Sequence, residues 1–338
     1  MLKHRMITIG CDPEFFFTKD GKIVGAERVL PENGIKSKKS TIIIDGVQAE
    51  LNPTPHIERA DLGNEIADCF RKLRATMLMN KVKIDFSTTV TVDEKELESL
   101  SDKAKQFGCA PSKSASGAKA MTIKDASKYL YRSAGGHLHL GNYANNVEVQ
   151  AVLDNPEYLV PILDIIVGNT CVLLDRSEGN IERRKVYGRA GEYRTPPHGV
   201  EYRTLSNFWL QSYQLMDLVT GLARQSIQIC ADGYAEKIRG AVNMDEVVKA
   251  INENDFDLAK SNFMKVLPIL LEITPKANIF PIHKGNVTEF GHFIDKGIEY
   301  WFGNDPMKNW VSLRRGKEVG FGEYLSTSVN KDMNYGIN

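Results

Sequence analysis

Four short stretches of this chain each place two functional side chains at positions i and i+2, and this spacing constrains the fold more than any other feature. The pairs are Asp12/Glu14, Glu50/Asn52, His137/His139 and Glu201/Arg203. In a β-strand, residues two apart point to the same face of the sheet. The intervening residues are mostly apolar or aromatic: Pro13, Leu51, Leu138 and Tyr202. The sequence therefore predicts strands with one face toward a core and the other face collecting charge.

A sheet face that gathers carboxylates and imidazoles is typical of a metal site. Several carboxylates on one surface repel one another unless cations neutralise them. Oxygen ligands with an occasional imidazole suit Mg²⁺ or Mn²⁺. The glycines of residues 135–141 would let a ligand approach the backbone beside His137 and His139. Zinc is the alternative for these histidines, but the chain offers no HExxH motif and no cysteine pair to complete a zinc site.

Residues 182–203 form a charged segment that ends in the last of the four pairs. Its cations are Arg183, Arg184, Lys185, Arg189, Arg194 and Arg203, and its acids are Glu182, Glu192 and Glu201. Gly188, Gly191 and a Pro-Pro turn interrupt the run. Arginines in a glycine-bearing loop suit phosphate or carboxylate binding through their planar guanidinium groups. A nucleic-acid patch is less favoured, because acids are mixed in and stacking aromatic residues are few.

Composition argues against nucleic-acid and membrane partners. Lysine plus arginine and aspartate plus glutamate both number 43, so the net charge is zero and no global field attracts polyanions. The five cysteines are scattered without a CxxC pair, which is typical of reduced thiols in a cytoplasmic protein. The N-terminus lacks the apolar core of a signal peptide. Pro161, Asp164 and Asn169 interrupt the most apolar stretch, so we expect no membrane span and a cytoplasmic location.

Apolar periodicity and turn residues predict the order of helices and strands. Strands are expected at 6–17, with a bulge or an unpaired side at Pro13, and at 22–26, 41–52, 82–92 and 137–141. Helices are expected at 57–79, 93–107, 155–175 and 206–230, and then at 244–252, 255–272 and 288–302. The small-residue segment 108–120 and the loop around 188–191 are interpreted as lids. We expect a catalytic domain over 1–231 and a mainly helical region over 232–338 that packs on it.

The order of the motifs resembles a known superfamily. An acid-x-Glu-Phe strand, a Gln-x-Glu-x-Asn strand, a Gly-x-His-x-His strand, an arginine-bearing loop and a Glu-x-Arg strand follow one another over residues 7–230. This series resembles the glutamine synthetase and glutamate-cysteine ligase superfamily, and more closely the carboxylate-amine ligase type 2 family of phages of the phiEco32 kind. The chain carries no P-loop, no GxGxxG turn before a helix and no GxSxG elbow. Any phosphate chemistry must therefore rely on metals and arginines.

The resemblance implies a fold and a reaction. The fold is α+β, with a glutamine synthetase-like antiparallel sheet carrying the active site, helices on its other face and a mainly helical C-terminal region. The reaction is ATP- and Mg²⁺- or Mn²⁺-dependent amide or peptide bond formation. In it, a substrate carboxylate attacks the γ-phosphate and an amine displaces phosphate from the acyl phosphate. The implied partners are an amino acid, peptide or protein carboxylate and an amine, in the host cytoplasm if the chain is phage-encoded, and a homo-oligomer is compatible with this reading.

The resemblance also implies roles for individual residues. Glu14 and Glu50 would bind the metal nearest the acyl phosphate. The third carboxylate of this metal has no clear counterpart in the chain, and Asp45 and Glu58 are the candidates for it. The metal on the nucleotide phosphates would be bound by Asp12, His137 and Glu201. Arg203 would contact phosphate. Arg189 and Arg194 would stabilise the charge that develops on the transferred group or bind the substrate carboxylate. The residues expected at the nucleotide are His139, Asn52 and Arg184, together with Arg203.

Two hypotheses from other classes stay open on the sequence alone. The first is a metal-dependent hydrolase in which the same carboxylates and histidines activate water without ATP. The second is a non-catalytic phage protein whose charged strands are ordinary surface. The hydrolase predicts turnover of an amide or phosphoester in the absence of nucleotide. The non-catalytic protein predicts that Glu14→Ala and His137→Ala leave metal and nucleotide binding unchanged.

Overall fold

The computed structural model describes residues 6–106, 112–117, 126–273, 281–302, 305–311 and 324. These residues form an α+β structure whose strands pair antiparallel. The strands are β1 (Ile7–Cys11), β2 (Glu14–Lys19), β3 (Lys22–Val24), β4 (Ile35–Ser37), β5 (Ser40–Asp45), β6 (Gln48–Asn52), β7 (Lys83–Asp85), β8 (Thr89–Thr91), β9 (Lys113–Ser114), β10 (Tyr131–Ser133), β11 (Leu138–Asn142), β12 (Glu192–Arg194) and β13 (Gly199–Tyr202).

The helices lie between and after these strands. They are α1 (Arg59–Asn80), α2 (Glu94–Glu98), α3 (Asp102–Lys105), α4 (Val147–Leu153), α5 (Pro156–Leu163), α6 (Asn169–Leu174), α7 (Gly179–Val186), α8 (Tyr213–Ala231), α9 (Ala235–Arg239), α10 (Met244–Glu253), α11 (Phe256–Ile273), α12 (Val287–Lys296), α13 (Ile298–Phe302) and α14 (Pro306–Val311). A π-helical turn, Asp164–Gly168, joins α5 to α6 without a break.

The first sheet has the strand order β1-β11-β13-β12-β9. Its back face is apolar, with Ile7, Ile9, Leu138, Leu140 and Tyr202 all 0% exposed. Helices α4 and α5 contact this sheet, and the Tyr202 hydroxyl donates to Asp164 Oδ1 at 2.8 Å in the π-turn. Because side chains alternate along a strand, the front face of the same strands is left for the histidines and acids.

The second sheet has the strand order β3-β2-β6-β5-β4, and β7 also pairs with β2. Strands β1 and β2 belong to different sheets, and the two residues between them, Asp12 and Pro13, make the crossing. The prediction of one strand over 6–17 was therefore wrong, although the interruption at Pro13 is confirmed. Proline has no N–H for a ladder hydrogen bond, and here the interruption becomes the junction of two sheets.

Other predicted elements are divided in the same way. The predicted strand 82–92 forms β7 and β8, which lie in different sheets. The predicted helix 93–107 forms α2 and α3, because the Ser101 side chain accepts from Ala104 N and caps a new helix. The predicted helix 288–302 ends at Gly297, which has φ +81°, and restarts as α13. The proposed lid over 108–120 lies largely outside the described residues, and its described part contains β9.

Residues 156–174 form the central core helix. This stretch is long and apolar enough to cross a membrane, with a mean hydropathy of 1.6, yet 83% of that window is buried inside the protein. The interruptions noted in the sequence do not break it, because Pro161 is accommodated within α5 and the π-turn absorbs the next residues. The apolar character is explained by packing against sheet and helices on every side.

The C-terminal helices share this core. Helices α10 and α11 contact α6 and the π-turn. Asn169 Nδ2 donates to Ala259 O at 2.8 Å, and Asn262 Nδ2 donates to Asn169 Oδ1 at 3.2 Å, so buried polar groups also join the two regions. The hydrophobic cluster runs from Ile7 to Trp310. A division at residue 231 stays a prediction.

Candidate active site

Three carboxylates meet on the second sheet, and we call Glu14, Asp45 and Glu50 the acidic cluster. Glu14 of β2 is directly opposite Glu50 of β6, and Asp45 ends β5 next to the Gly46 turn. One carboxylate oxygen from each lies within 4.8 Å of the others. The sequence left Asp45 and Glu58 as alternatives for the third carboxylate beside Glu14 and Glu50. The structure places Asp45 in the cluster and Glu58 at the start of α1, outside it.

The acidic cluster is largely withdrawn from water. Glu14 is 1% exposed. Its Oε2 accepts from Gly135 N at 2.6 Å and from the Tyr187 hydroxyl at 3.1 Å. Burial, and then the charge of Asp45, raise the pKa of Glu14 well above its usual range. Burial, and then the charges of Asp12 and Asp45, raise the pKa of Glu50 to about 8, and burial raises the pKa of Asp45 as well.

A second group lies on the front face of the first sheet, and we call Asp12, His137, His139 and Glu201 the histidine cluster. His139 of β11 is directly opposite Glu201 of β13. Asp12 follows the last paired residue of β1 and turns toward both histidines. Its Oδ1 lies 3.2 Å from His137 Nδ1, and its Oδ2 lies 3.2 Å from His139 Nε2. Ligand atoms of Asp12, His139 and Glu201 lie within 4.8 Å of one another.

His137 is buried, with its two ring nitrogens in different surroundings. Its side chain is 2% exposed and its Nδ1 faces Asp12 Oδ1 at 3.2 Å, whereas Nε2 makes no hydrogen bond to the described residues. Nδ1 lies 3.7 Å from Glu201 Oε1. A Cβ at Gly135 would stand 2.5 Å from His137 Nε2. Gly135 therefore makes room for the His137 ring. From the sequence, the glycines of 135–141 were expected to let a ligand approach the backbone.

Electrostatics differ between the two clusters. Burial opposes ionisation of Asp12, but His137 and His139 outweigh it and hold the pKa of this carboxyl well below its usual range. Burial lowers the pKa of His137. Burial also opposes the charge on His139, yet its bond to Asp12 raises the pKa of this imidazole. Asp12 thus favours its charged form, whereas burial and mutual repulsion disfavour the charged forms of Glu14, Asp45 and Glu50.

The arginines divide into two sets. Arg203 is 1% exposed, and its Nη1 donates to Glu201 Oε1 at 2.6 Å. Arg194, opposite Glu201 in β12, places Nη1 3.6 Å from the same oxygen. Arg184 instead donates to Asn254 Oδ1 at 3.0 Å and, like Arg189, faces α10. Asn52 lies on the face of β6 that carries Glu50 and donates to Glu50 Oε1 at 2.7 Å.

Two residues beside the clusters were missed by the sequence analysis. His198 Nε2 lies 3.0 Å from His139 Nδ1. Tyr187 bonds to Glu14 and also donates to Ser133 O at 3.1 Å. Neither residue belongs to an i, i+2 pair. His198 follows the Pro-Pro turn, and Tyr187 is the first residue after α7. The available signal was their place in the segment 182–203, whose charged residues and glycines were singled out without them.

The residues present fit divalent cations. Two groups of oxygen and imidazole ligands lie on either side of Pro13, with Asp12 in one and Glu14 in the other. Buried acids whose pKa values are raised are groups that a bound cation would satisfy, and Asp12, His139 and Glu201 offer ligand atoms within 4.8 Å of one another. Hard oxygen donors favour Mg²⁺ or Mn²⁺. Arg194 and Arg203 beside Glu201 add fixed positive charge for an anionic substrate.

Comparison with known proteins gives one family. The model of the family described as phage phiEco32-like COOH.NH2 ligase-type 2 matches residues 120–311, which is more than half of the chain. The matched range contains the histidines and Glu201 and begins after the acidic cluster. No curated protein matches the chain.

Proposed function

The chain belongs to the phage phiEco32-like COOH.NH2 ligase-type 2 family, and from this premise we propose that it joins a carboxylate to an amine at the expense of ATP. The family makes the chain a carbon-nitrogen ligase. ATP, the divalent cations and the acyl-phosphate route are our proposal. The observation that carries it is the pair of ligand clusters on either side of Pro13, with arginines at one of them.

The proposed cation sites are the two clusters. Glu14, Asp45 and Glu50 would hold one cation, and Asp12, Glu201 and the imidazoles of His137 and His139 would hold a second. Bound there, the cations would neutralise phosphate charge and hold the nucleotide and the substrate carboxylate together. Asp12 and Glu14 are separated only by Pro13, so the two sites share one short rigid segment.

The proposed reaction has two steps. A carboxylate oxygen of the substrate attacks the γ-phosphorus of ATP, the bond to ADP breaks, and an acyl phosphate forms. The amine nitrogen then attacks the acyl carbon, the bond to phosphate breaks, and the nitrogen loses a proton. Phosphorylation supplies the leaving group that a free carboxylate lacks, and the protein contributes mainly positioning and charge neutralisation.

We assign the protein side chains accordingly. Arg203 and Arg194 are placed to bind phosphate oxygens and to stabilise charge on the transferred group. Asn52 would orient the nucleotide or the Glu50 carboxylate to which it donates. Arg189 faces α10 in the structure, and we propose that it binds a substrate carboxylate from that side. The antiparallel sheet that carries these residues is proposed to be glutamine synthetase-like.

The function is tested by product analysis. The protein is incubated with ATP, Mg²⁺ and pools of amino acids, peptides and amines, and ADP and phosphate are quantified. We expect release of ADP and phosphate that requires both an acid and an amine, and at least a ~100-fold loss of this rate in Arg203→Met. AMP and pyrophosphate as products would point to adenylation and contradict the proposal. Turnover of an amide or phosphoester without nucleotide would support the hydrolase.

A further inference from the structure

A cleft separates α7 and the following loop from α10 of the C-terminal region. Its volume is about 360 Å³. One wall carries Arg184, Lys185 and Arg189, and the other carries Asp245, Lys249 and Glu253. None of these belongs to the acidic cluster or the histidine cluster. The cleft is of the size that small ligands occupy in proteins.

Arg184 is the feature of this cleft that points to a ligand. Its side chain lines the cleft, and the residue is only 7% exposed. Nη1 donates to Asn254 Oδ1 at 3.0 Å, while Nε has no hydrogen-bond partner. Within the described part of the chain, no carboxylate forms an ion pair with this guanidinium. Asp175 favours the charge of Arg184 without pairing with it directly. A buried cation without a direct ion pair is costly, and an anion in the cleft would reduce that cost.

The charge of Arg184 persists at neutral pH. Burial, and then the neighbouring Arg183, lower the pKa of Arg184 to about 10. The lysines of the cleft already have acidic partners. Lys185 Nζ lies 2.5 Å from Glu182 Oε1, and Lys249 Nζ lies 3.9 Å from Glu253 Oε2. Arg184 is therefore a cation of the cleft whose charge an incoming anion would neutralise.

The cleft shares a wall with the acidic cluster. The loop after α7 begins with Tyr187, whose hydroxyl donates to Glu14. Three residues later, Ala190 N donates to Asn252 Oδ1 of α10 at 2.9 Å. Arg189, between these anchors, lines the cleft. Gly188 has φ +78° and Gly191 has φ +81°, so the loop is fixed in a conformation that other residues rarely adopt.

We propose that the cleft between α7 and α10 binds the carboxylate or phosphate group of a small ligand, with Arg184 as its main contact. The planar guanidinium matches either group through paired hydrogen bonds. Binding there is separable from ligation, because it requires neither ATP nor a divalent cation. A failure of the ligase assay would thus leave this inference intact, whereas a failure of anion binding would bear only on the carboxylate role proposed for Arg189, which lines the same cleft.

The test is a thermal-shift titration of the metal-free full-length protein with glutamate and, separately, with inorganic phosphate. Sodium chloride matched for ionic strength serves as the reference, because a ligand that binds only the folded state raises the unfolding midpoint. We expect one of the two anions to raise the midpoint beyond the salt reference. The responding anion identifies the group. The affinity should fall about tenfold or more in Arg184→Met.

Two further variants separate binding from folding. Val248→Trp fills the cleft from α10 while leaving Arg184 in place, and it should abolish the shift. Lys237→Met removes an exposed lysine that pairs with Glu272 outside the cleft, and it should leave the shift unchanged. No shift with either anion in the wild-type protein would overturn the proposal. A shift that survives both Arg184→Met and Val248→Trp would also overturn it, since the anion would then bind elsewhere.

Discussion

At the scale of single residues, burial determines what each acid of the site can do. Glu14 and Glu50 face each other across two strands and have raised pKa values, whereas Asp12, one residue beyond Pro13, is held ionised by two histidines. Two acids separated only by Pro13 thus differ in pKa direction: that of Asp12 is lowered and that of Glu14 is raised. The difference arises because each cluster has its own neighbours: acids around Glu14, and imidazoles around Asp12.

Tyr187 provides a residue-scale prediction. Removal of its hydroxyl in Tyr187→Phe deletes one of two donors to the Glu14 carboxylate, so the charged form of Glu14 becomes less favourable. We expect Mn²⁺ affinity at the acidic cluster to fall roughly three- to tenfold. Tyr143→Phe, at a tyrosine 52% exposed, is the matched control. Equal affinities in wild type and Tyr187→Phe, measured by titration, would show that this bond does not support Glu14.

Asp164 provides a prediction for pH dependence away from the clusters. Burial raises the pKa of Asp164 to about 7 from 3.8, even though it accepts from the Tyr202 hydroxyl. Between these values the folded state holds a proton that the unfolded state has released, so this residue's contribution to stability falls as pH rises from about 4 to about 7.

Asp164→Asn keeps the acceptor for Tyr202 and removes the titration. As the pH rises from 4 to 8, the difference in unfolding free energy between variant and wild type should shift by roughly 2 to 4 kcal/mol in favour of the variant. Urea unfolding at several pH values measures the difference. A difference that is independent of pH would contradict the assignment.

At the scale of elements, the loop between α7 and β12 is the most constrained segment of the site. Arg183 Nη1 donates to Thr204 O at 2.8 Å, and its Nη2 donates to Arg203 O and Leu205 O. A Cβ on Gly188 would stand 2.0 Å from Arg183 Nη1. The glycine therefore lets this arginine hold the strand end that carries Arg203.

A pair of glycines tests this element. Gly188 and Gly21 have the same φ of +78°, but nothing lies within 4 Å of a Cβ on Gly21. Gly21→Ala should cost about 1 kcal/mol from backbone strain alone. Gly188→Ala should cost at least ~1 kcal/mol more and should reduce ADP formation, since Arg183 must move. Equal losses in urea unfolding, with equal activity, would contradict the role given to this arginine.

The sequence indicated some of these elements better than others. Helix α1 and the core helix at 156–174 were predictable because their apolar periodicity is long. The i, i+2 pairs correctly identified strand faces at His139 and Glu201, which the structure brings together. The division of 6–17 between two sheets was not predictable, because Pro13 signals an interruption without saying that the chain changes sheet. Tyr187 is distant in sequence from Glu14, so only tertiary structure joins the two, and tertiary structure was also needed to choose Asp45 over Glu58.

At the scale of the whole molecule, the C-terminal helices complete the core. Asn262 and Ala259 of α11 bond to Asn169 beneath the first sheet, and Trp310 Nε1 donates to Leu210 O at 2.5 Å. We predict that the chain unfolds in one cooperative transition and that a version ending at residue 231 fails to fold stably, because the apolar surface of α6 loses its cover. Circular dichroism and tryptophan fluorescence should give coincident curves. Two separate transitions, or a soluble folded 1–231, would show independent domains.

The most direct test of the account is the number of Mn²⁺ ions bound per chain, read from the electron paramagnetic resonance signal of free Mn²⁺ during a titration. We predict two ions in the wild-type protein, one in Glu50→Gln, one in Asp12→Asn, and none in the double variant. Glu58→Gln, an acid outside both clusters, should retain two. No bound ion in the wild-type protein, or two ions in the double variant, would contradict the claim that the clusters on either side of Pro13 are cation sites.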